Sequence, residues 1–586
     1  MDIRKYIQEN ILIFDGAMGT YYSQCYKDDT TKCEWANVNN PDRIVKIHKE
    51  YINAGANAIK TNTFAATPTL LECKIDDVKN IIKHAWENAV KAVEGEKCAV
   101  FADVCPIDEH EQDVFAILDT FLNLGAKNFL FETLADDNKL DLFTDYIKKN
   151  CEDAYIIVSF AVTPDGFTRH GMSAKNVIKR VCDNKNIDAV GLNCVSGPIH
   201  LLKTAKSLKS DVISAGKVFS IMPNAGYPTV IDGRTVFDST PNYFAEICEE
   251  IVKNGVHIIG GCCGTTPEHI KKLSLKLSGK LISKPEKTEK NDNEQKPSFT
   301  QKKNRLAEKL NEGKRIIAVE LDPPADSNIE KFIQGAKKLK QMGVDAVTIA
   351  DCPVARVRVD SSLLAAKLHR ELDLDPIPHM TCRDRNINAT KALLLGLSVE
   401  EVQNVLVVTG DPVPSASKDE VKAVFSFNSV VLADYIRQLS QDGLCSPFFV
   451  YGALNVNAKN FDAELRKAVR KQNAGVKAFL TQPVFTDKAF ENLKKAYDTL
   501  DAKILGGIIP IVSHRNALFM SQEMAGIDIP QNIVDMYEGL DRDEAEKLAI
   551  KLSVDIAKRV ESFTHGLYMI TPFQRVSLIE SILQKI

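Results

Sequence analysis

Short apolar, β-branched runs recur eight times in the first half of the chain, and a stretch with helical periodicity separates each from the next. They are ILIFDG (11–16), NAIKTNTF (57–64), CAVFADV (98–104), NFLFET (128–133), AYIIVSF (154–160), AVGLNC (189–194), VFSIMPN (218–224) and HIIGGCC (257–263). The runs are continuous rather than alternating, as strands buried on both faces should be, and intervals such as PDRIVKIHKEYINAG are amphipathic. Eight such units predict a (β/α)8 barrel, in which reactive side chains sit at the C-terminal ends of the strands. The second half repeats the pattern with runs at 315–324, 345–351, 376–382, 404–411, 447–454, 477–483, 504–510 and 566–572. A doubly wound open sheet is the alternative for either half, but eight units in each favour closure. The fold class expected is therefore α/β, with two (β/α)8 TIM barrels.

Between Lys280 and Lys303 the chain reads KLISKPEKTEKNDNEQKPSFTQKK, with almost nothing to bury. Packing cannot offset the ordering entropy of such a segment, which reads as a charged linker. Three parts follow: a first barrel over 1–280, a linker over 281–304 and a second barrel over 305–586. A length of 586 residues suits more than one core. With 26% charged residues and a net charge of −4, no basic surface for nucleic acid and no membrane-binding stripe is expected. The N-terminal stretch does not read as a signal peptide, and no apolar run approaches the roughly 18 residues of a membrane span. The expected location is the cytoplasm.

Fourteen cysteines in a reducing compartment read as buried small hydrophobes and metal ligands rather than disulfides. Only Cys352, Cys382 and Cys445 fall in the second half. The stretch HIIGGCCGTTPEHI places Cys262 and Cys263 side by side in a glycine frame. Adjacent strand residues face opposite ways, so the two thiols can reach one ion only if the backbone turns, which Gly260, Gly261 and Gly264 permit. Cys194, in GLNCVSGP, sits at the same end of another strand. Three thiolates give Zn²⁺ three ligands and one open position, the arrangement of a catalytic zinc, and an incoming thiol held there is kept as the nucleophilic thiolate. The pattern suggests thiol alkylation; the plainer reading is three core cysteines.

The motifs DGAMGT, KTNTF, FET, GLNCVSGP and GGCCGTTPEHI resemble those of the zinc-dependent homocysteine S-methyltransferase family, over about residues 1 to 280. The resemblance implies zinc on Cys194, Cys262 and Cys263, with homocysteine bound near Asp15 and Glu132. Carboxylates there make sense as partners for the substrate ammonium. Asn62 and Asn193 could donate to the substrate carboxylate or simply cap loops.

In the second half, Glu320 lies inside an apolar run that Pro323 and Pro324 terminate. A carboxyl group so placed should have a raised pKa and suits a general acid; a salt-bridged structural residue is the alternative. Gly410 allows close approach of a ligand and Asp411 supplies an acceptor, which together suggest a flat, polar-edged heterocycle. Taken in order, VELDPP, VTIAD, PHMTC, VTGDPVP and LTQP resemble the methylenetetrahydrofolate reductase family, an FAD-binding barrel, over about 305 to 586. Carried over, Glu320 matches the acid that protonates the folate ring, and Asp411 the aspartate beside flavin and pterin. Thr348, His379, Gly410, Glu464 and Lys471 match flavin contacts, and Gln482 a folate contact. Three departures stand out: Asp322 replaces an aromatic, YGALNVNA replaces a segment with aromatic and histidine contacts, and the last strand ends YMITPFQR. No GxGxxG is present, so neither FAD nor a nicotinamide is expected to bind in Rossmann fashion.

Together the halves resemble the bacterial two-module fusion of these enzymes. The expected cofactors are Zn²⁺ and FAD, with NAD(P)H or another reductant as electron donor. The expected partners are small molecules: homocysteine, methylenetetrahydrofolate and a methyl donor. The nearest approach to a cobalamin signature, DEHEQD from Asp108, lacks the glycine. The donor is therefore open among methyltetrahydrofolate, S-methylmethionine, S-adenosylmethionine and a separate corrinoid protein. Homo-oligomerisation and a separate electron-donor protein are also left open. Two other readings compete: an active reductase carrying a thiol-binding regulatory barrel, and a nonenzymatic scaffold.

Overall fold

A computed structural model describes residues 1–104, 109–226, 228–231, 234–237, 240–279, 303–412, 423–524 and 526–586, with backbone alone for 228–231 and 234–237. Most of the expected linker, and Asp108, lie outside the described residues. The chain divides into two compact units, one from each half.

In the first unit eight parallel strands form a ring: β1 (Leu12–Ile13), β2 (Ala58–Lys60), β3 (Ala99–Val104), β4 (Asn128–Leu134), β5 (Tyr155–Phe160), β6 (Ala189–Asn193), β7 (Val218–Met222) and β10 (Ile258–Ile259). A parallel bridge between Phe14 and Ala58 completes it. The strands form because their residues are buried on both faces: Leu12, Phe14, Phe101, Leu130, Ile157 and Ile258 fill the barrel, while Ile13, Phe129, Ile156 and Ile221 meet the surrounding helices. The two strands flanking the glycine motif are shorter than the apolar runs suggest. Just past Ile259, the last residue of β10, a Cβ on Gly260 would come within 2.6 Å of Phe14 Cβ, an approach only glycine tolerates. An antiparallel ribbon, β8 (Pro228–Ile231) with β9 (Arg234–Phe237), was not anticipated. Its signal was present, an Asp-Gly pair between two β-branched runs.

The second unit is a closed barrel of β11 (Ile316–Leu321), β12 (Ala346–Ile349), β13 (Asp375–Thr381), β14 (Asn404–Val408), β15 (Phe449–Leu454), β16 (Val476–Pro483), β17 (Lys503–Ile508) and β18 (Gly566–Ile570), all parallel and in sequential order. Both units are therefore the expected TIM barrels. In each, a short helix precedes the first strand and packs into the barrel interior. Ile3 and Ile7 of the helix Ile3–Glu9 join the first interior cluster, and Leu306 and Leu310 of the helix Arg305–Asn311 join the second. Arg4 ties the first helix to the entry of β5 by donating to the carbonyls of Asp153 and Ala154. Lys309 binds Asp345 just before β12. These helices stopper the N-terminal ends and leave the C-terminal ends for chemistry. Among the described residues no helix is long and apolar enough to cross a membrane.

Candidate functional site

At the C-terminal end of the first barrel the three sulfurs of Cys194, Cys262 and Cys263 lie within 4.8 Å of one another. Those of Cys194 and Cys263 are 3.6 Å apart. Tetrahedral zinc with bonds of about 2.3 Å puts its sulfurs roughly 3.8 Å apart, so the trio has the spacing of a metal-ligand set. The described cysteines are all free.

The local chain explains the convergence. Cys194 and Val195 both adopt left-handed backbone at the exit of β6, with φ of 57° and 60°. That conformation is costly for residues other than glycine, and for a β-branched valine most of all. The other two thiols are held by backbone hydrogen bonds, Cys262 N to Pro223 O at 2.8 Å and Ala225 N to Cys263 O at 2.9 Å. The glycines divide the work differently from the expectation that all three permit the turn. Gly264 alone has positive φ, at 79°, whereas Gly260 and Gly261 allow close approach to Phe14 and Thr265. Thr265 Oγ1 in turn donates to Cys262 O and accepts from Ala17 N. Hydrogen bonds among the thiols pull in both directions, and the balance is settled upward by burial at Cys194 and by the charge of Cys262 followed by burial at Cys263, pushing both up to about 12.

These sulfurs share a cavity of about 290 Å³ with Asp15, Asn62 and Glu132. Asp15 follows β1, and Lys60 N donates to its Oδ2 at 3.1 Å. Burial pushes the Asp15 carboxyl up to about 7, a rise only partly offset by the charge of Lys60. Glu132, on β4, accepts from Asn193 Nδ2 at 3.0 Å. Asn193 spends its other amide hydrogen on Thr133 Oγ1. Asn62 donates to Cys33 O and to Asn37 Oδ1. Both asparagines thus hold the wall of the site, and neither keeps an amide hydrogen for a substrate carboxylate. Two residues escaped the sequence reading. Lys60 ends β2 between Asp15 and Glu132, and Asp103 on β3 is buried beside them. Burial works against the Lys60 charge, but Glu132 and Asp15 together hold its pKa above the ordinary lysine value. Burial, followed by Glu132, raises the Asp103 carboxyl well above its usual range. The available signal was a charged residue closing an otherwise apolar run.

At the same end of the second barrel, Glu320 lies on β11 with its side chain 13% exposed. Thr348 faces it in register on β12, His379 Nε2 is 3.5 Å from its Oε2, and Tyr568 on β18 donates to that oxygen. Burial, then the charge of Asp322, pushes the Glu320 carboxyl up to about 8, against the hydrogen bond from Tyr568. His379 is drawn down to about 4 by burial and stands neutral. Thr348 Oγ1 and His379 Nε2 are buried without hydrogen-bond partners, which suits a polar-edged ligand lying across the strand ends. Gly410 has φ of 93°, and Asp411 beside it accepts from Val354 N at 2.9 Å. Lys471 lies on the helix Phe461–Ala474; it is buried rather than solvated and donates to Ala453 O at 2.7 Å. Burial pulls its pKa down to about 8. One face of that helix also carries Glu464, whose Oε1 accepts from Asn455 N. Gln482, near the end of β16, lies where a Cβ on Gly526 would meet it at 3.7 Å. Tyr568 is the residue missed here, since strand adjacency across the closed ring alone brings it to Glu320.

Two closed parallel barrels, each with titratable or thiol side chains gathered at the C-terminal strand ends, define a pair of TIM-barrel enzyme modules. The homocysteine S-methyltransferase family model matches residues 12–277 and the methylenetetrahydrofolate reductase model matches residues 305–586. The chain thus carries a homocysteine S-methyltransferase domain followed by a methylenetetrahydrofolate reductase domain, a pairing that fits a bifunctional methyltransferase and reductase. It is 26% identical over 310 residues to a methionine synthase of Mycobacterium leprae, covering 47% of this chain and 25% of that protein. It is likewise 26% identical over 319 residues to a methionine synthase of Mycobacterium tuberculosis, covering 49% of this chain and 26% of that protein. The chain thus spans about a quarter of the length of the curated relatives it matches. Among solved structures, the metallated homocysteine methyltransferase MmuM from Escherichia coli superposes with a TM-score of 0.40 at 18% identity, covering 47% of this chain and all of that one.

Proposed function

We propose that the first barrel methylates the thiol of homocysteine to give methionine and that the second reduces 5,10-methylenetetrahydrofolate to 5-methyltetrahydrofolate. The observation that carries the first half is the three sulfurs within 4.8 Å at one barrel mouth, beside buried carboxylates. Cys194, Cys262 and Cys263 would hold zinc, which when bound offers an open position that keeps a substrate thiol deprotonated. Asp15 and Glu132 receive the substrate ammonium and orient its sulfur toward the trio. In the second barrel Thr348, His379, Gly410, Asp411, Glu464 and Lys471 would hold FAD, which once reduced by NAD(P)H or another reductant would supply the hydride, with Gln482 toward the folate. Glu320, protonated near neutral pH, gives its proton to the folate ring nitrogen as that ring opens. The Tyr568 hydroxyl keeps the carboxyl oriented. The domain bounds proposed are 1–280, 281–304 and 305–586, and the compartment is the cytoplasm.

Purified protein should be yellow and carry one zinc per chain. Cys263→Ala should lose the zinc and all homocysteine methylation while keeping the flavin spectrum. A screen of methyltetrahydrofolate, S-methylmethionine, S-adenosylmethionine and a methylated corrinoid protein identifies the donor. A zinc-loaded protein that turns over none of them would instead mark the first barrel as a thiol-binding regulatory module.

A further inference from the structure

Lys60 is buried, with its side chain 8% exposed, yet its Nζ makes no hydrogen bond among the described residues. It lies 4.0 Å from Asp15 Oδ1 and 3.7 Å from Glu132 Oε2, ion-pair separations beyond the roughly 2.7–3.2 Å of an N–H···O bond. Asp15 Oδ1 is buried without a hydrogen-bond partner, and so is Asp103 Oδ1 on the neighbouring strand. Buried ion pairs ordinarily close to hydrogen-bond contact, because only good geometry offsets the desolvation of both charges. This set stays open, and Asp15, Lys60, Asp103 and Glu132 all line the cavity that holds the three sulfurs. One ammonium therefore faces three carboxyl groups with its donors unspent, while two of the carboxyl groups each keep a bare oxygen.

We propose that Lys60 is the carboxylate anchor of the thiol substrate, so that the cavity selects a zwitterionic α-amino acid. This rests on the thiol-methylation reading above. An α-amino acid brings adjacent opposite charges. Its carboxylate supplies the acceptor that Lys60 lacks, and its ammonium relieves the excess of acid at Asp15 and Glu132. Positive and negative groups then alternate around the pocket. A thiol missing either charge leaves one side of the set unpaired in a desolvated site, the situation in which polar sites discriminate most strongly. Lys60 thereby determines specificity without touching the sulfur.

The test is calorimetric binding to the full-length, zinc-loaded protein, with zinc content assayed separately. The ligands are homocysteine, its decarboxylated amine thiol and its deaminated thiol acid. Wild type should prefer homocysteine over the decarboxylated thiol by on the order of tenfold to a hundredfold. In Lys60→Met that preference should fall toward unity, and in Lys60→Arg it should largely survive. Because Lys60→Met leaves buried acids without their counter-ion, Lys60→Met/Asp103→Asn is measured beside it as a variant with one buried acid fewer and the same expected loss. An unchanged preference in the folded variants overturns the proposal. So does tighter homocysteine binding by Lys60→Met, which would make Lys60 a mere competitor for the acids. If zinc-loaded wild type binds none of the three, the thiol-methylation reading itself fails and takes this inference with it.

Discussion

Glu320 titrates against two neighbours, Asp322 at the exit of its own strand and Tyr568 on β18, and they pull in opposite directions. Asp322 favours its neutral form by charge repulsion, whereas Tyr568 favours the anion by donating to it. With the carboxyl pushed up to about 8, reductase activity should be present below that pH and fall as pH rises through it, because the protonated form is the acid. Asp322→Asn should move the basic limb of kcat/KM to lower pH and Tyr568→Phe should move it higher; shifts of the same sign would refute the assignment. Glu320→Gln should lower kcat by about 10²–10⁴ with the flavin retained. Glu320 and the cysteines were legible in the sequence because an acid in an apolar strand and paired thiols between glycines are rare locally. Lys60, Asp103 and Tyr568 were not, because each matters only through a neighbour on another strand, and adjacency around a closed ring is a property of topology.

Among the structural elements, one demanding contact beside the candidate site is where the chain leaving β10 crosses the exit of β1. Gly260→Ala would place a Cβ 2.6 Å from Phe14 Cβ and 3.2 Å from Asp15 O. It should cost about 1–3 kcal/mol by overpacking and weaken zinc retention by displacing both motifs; an unchanged unfolding midpoint and zinc content would contradict this. The helices at the N-terminal ends are a second such element. Leu310 is 1% exposed in the interior cluster of the second barrel, so Leu310→Ala should destabilise that domain by about 2–5 kcal/mol in denaturant unfolding. The sixteen barrel strands were readable as continuous apolar runs, since burial on both faces removes the need for polar alternation. The stoppering helices went unread because each is only seven residues long, too short for a convincing periodicity.

For the molecule as a whole, each half has its own interior cluster, and heating should resolve two transitions. A chelator should lower one midpoint and leave the other in place, because removing a ligand destabilises only the domain that binds it; movement of both would show that the halves unfold together. The helix that closes the floor of each barrel also fixes the traffic through it. Among the described residues that leaves the C-terminal mouth as the way in, so acceptor and donor must queue at one threshold instead of meeting from opposite sides. With the sulfurs gathered at the strand ends, the thiol should check in first and the methyl donor lie over it, an ordered sequence that product-inhibition kinetics would display.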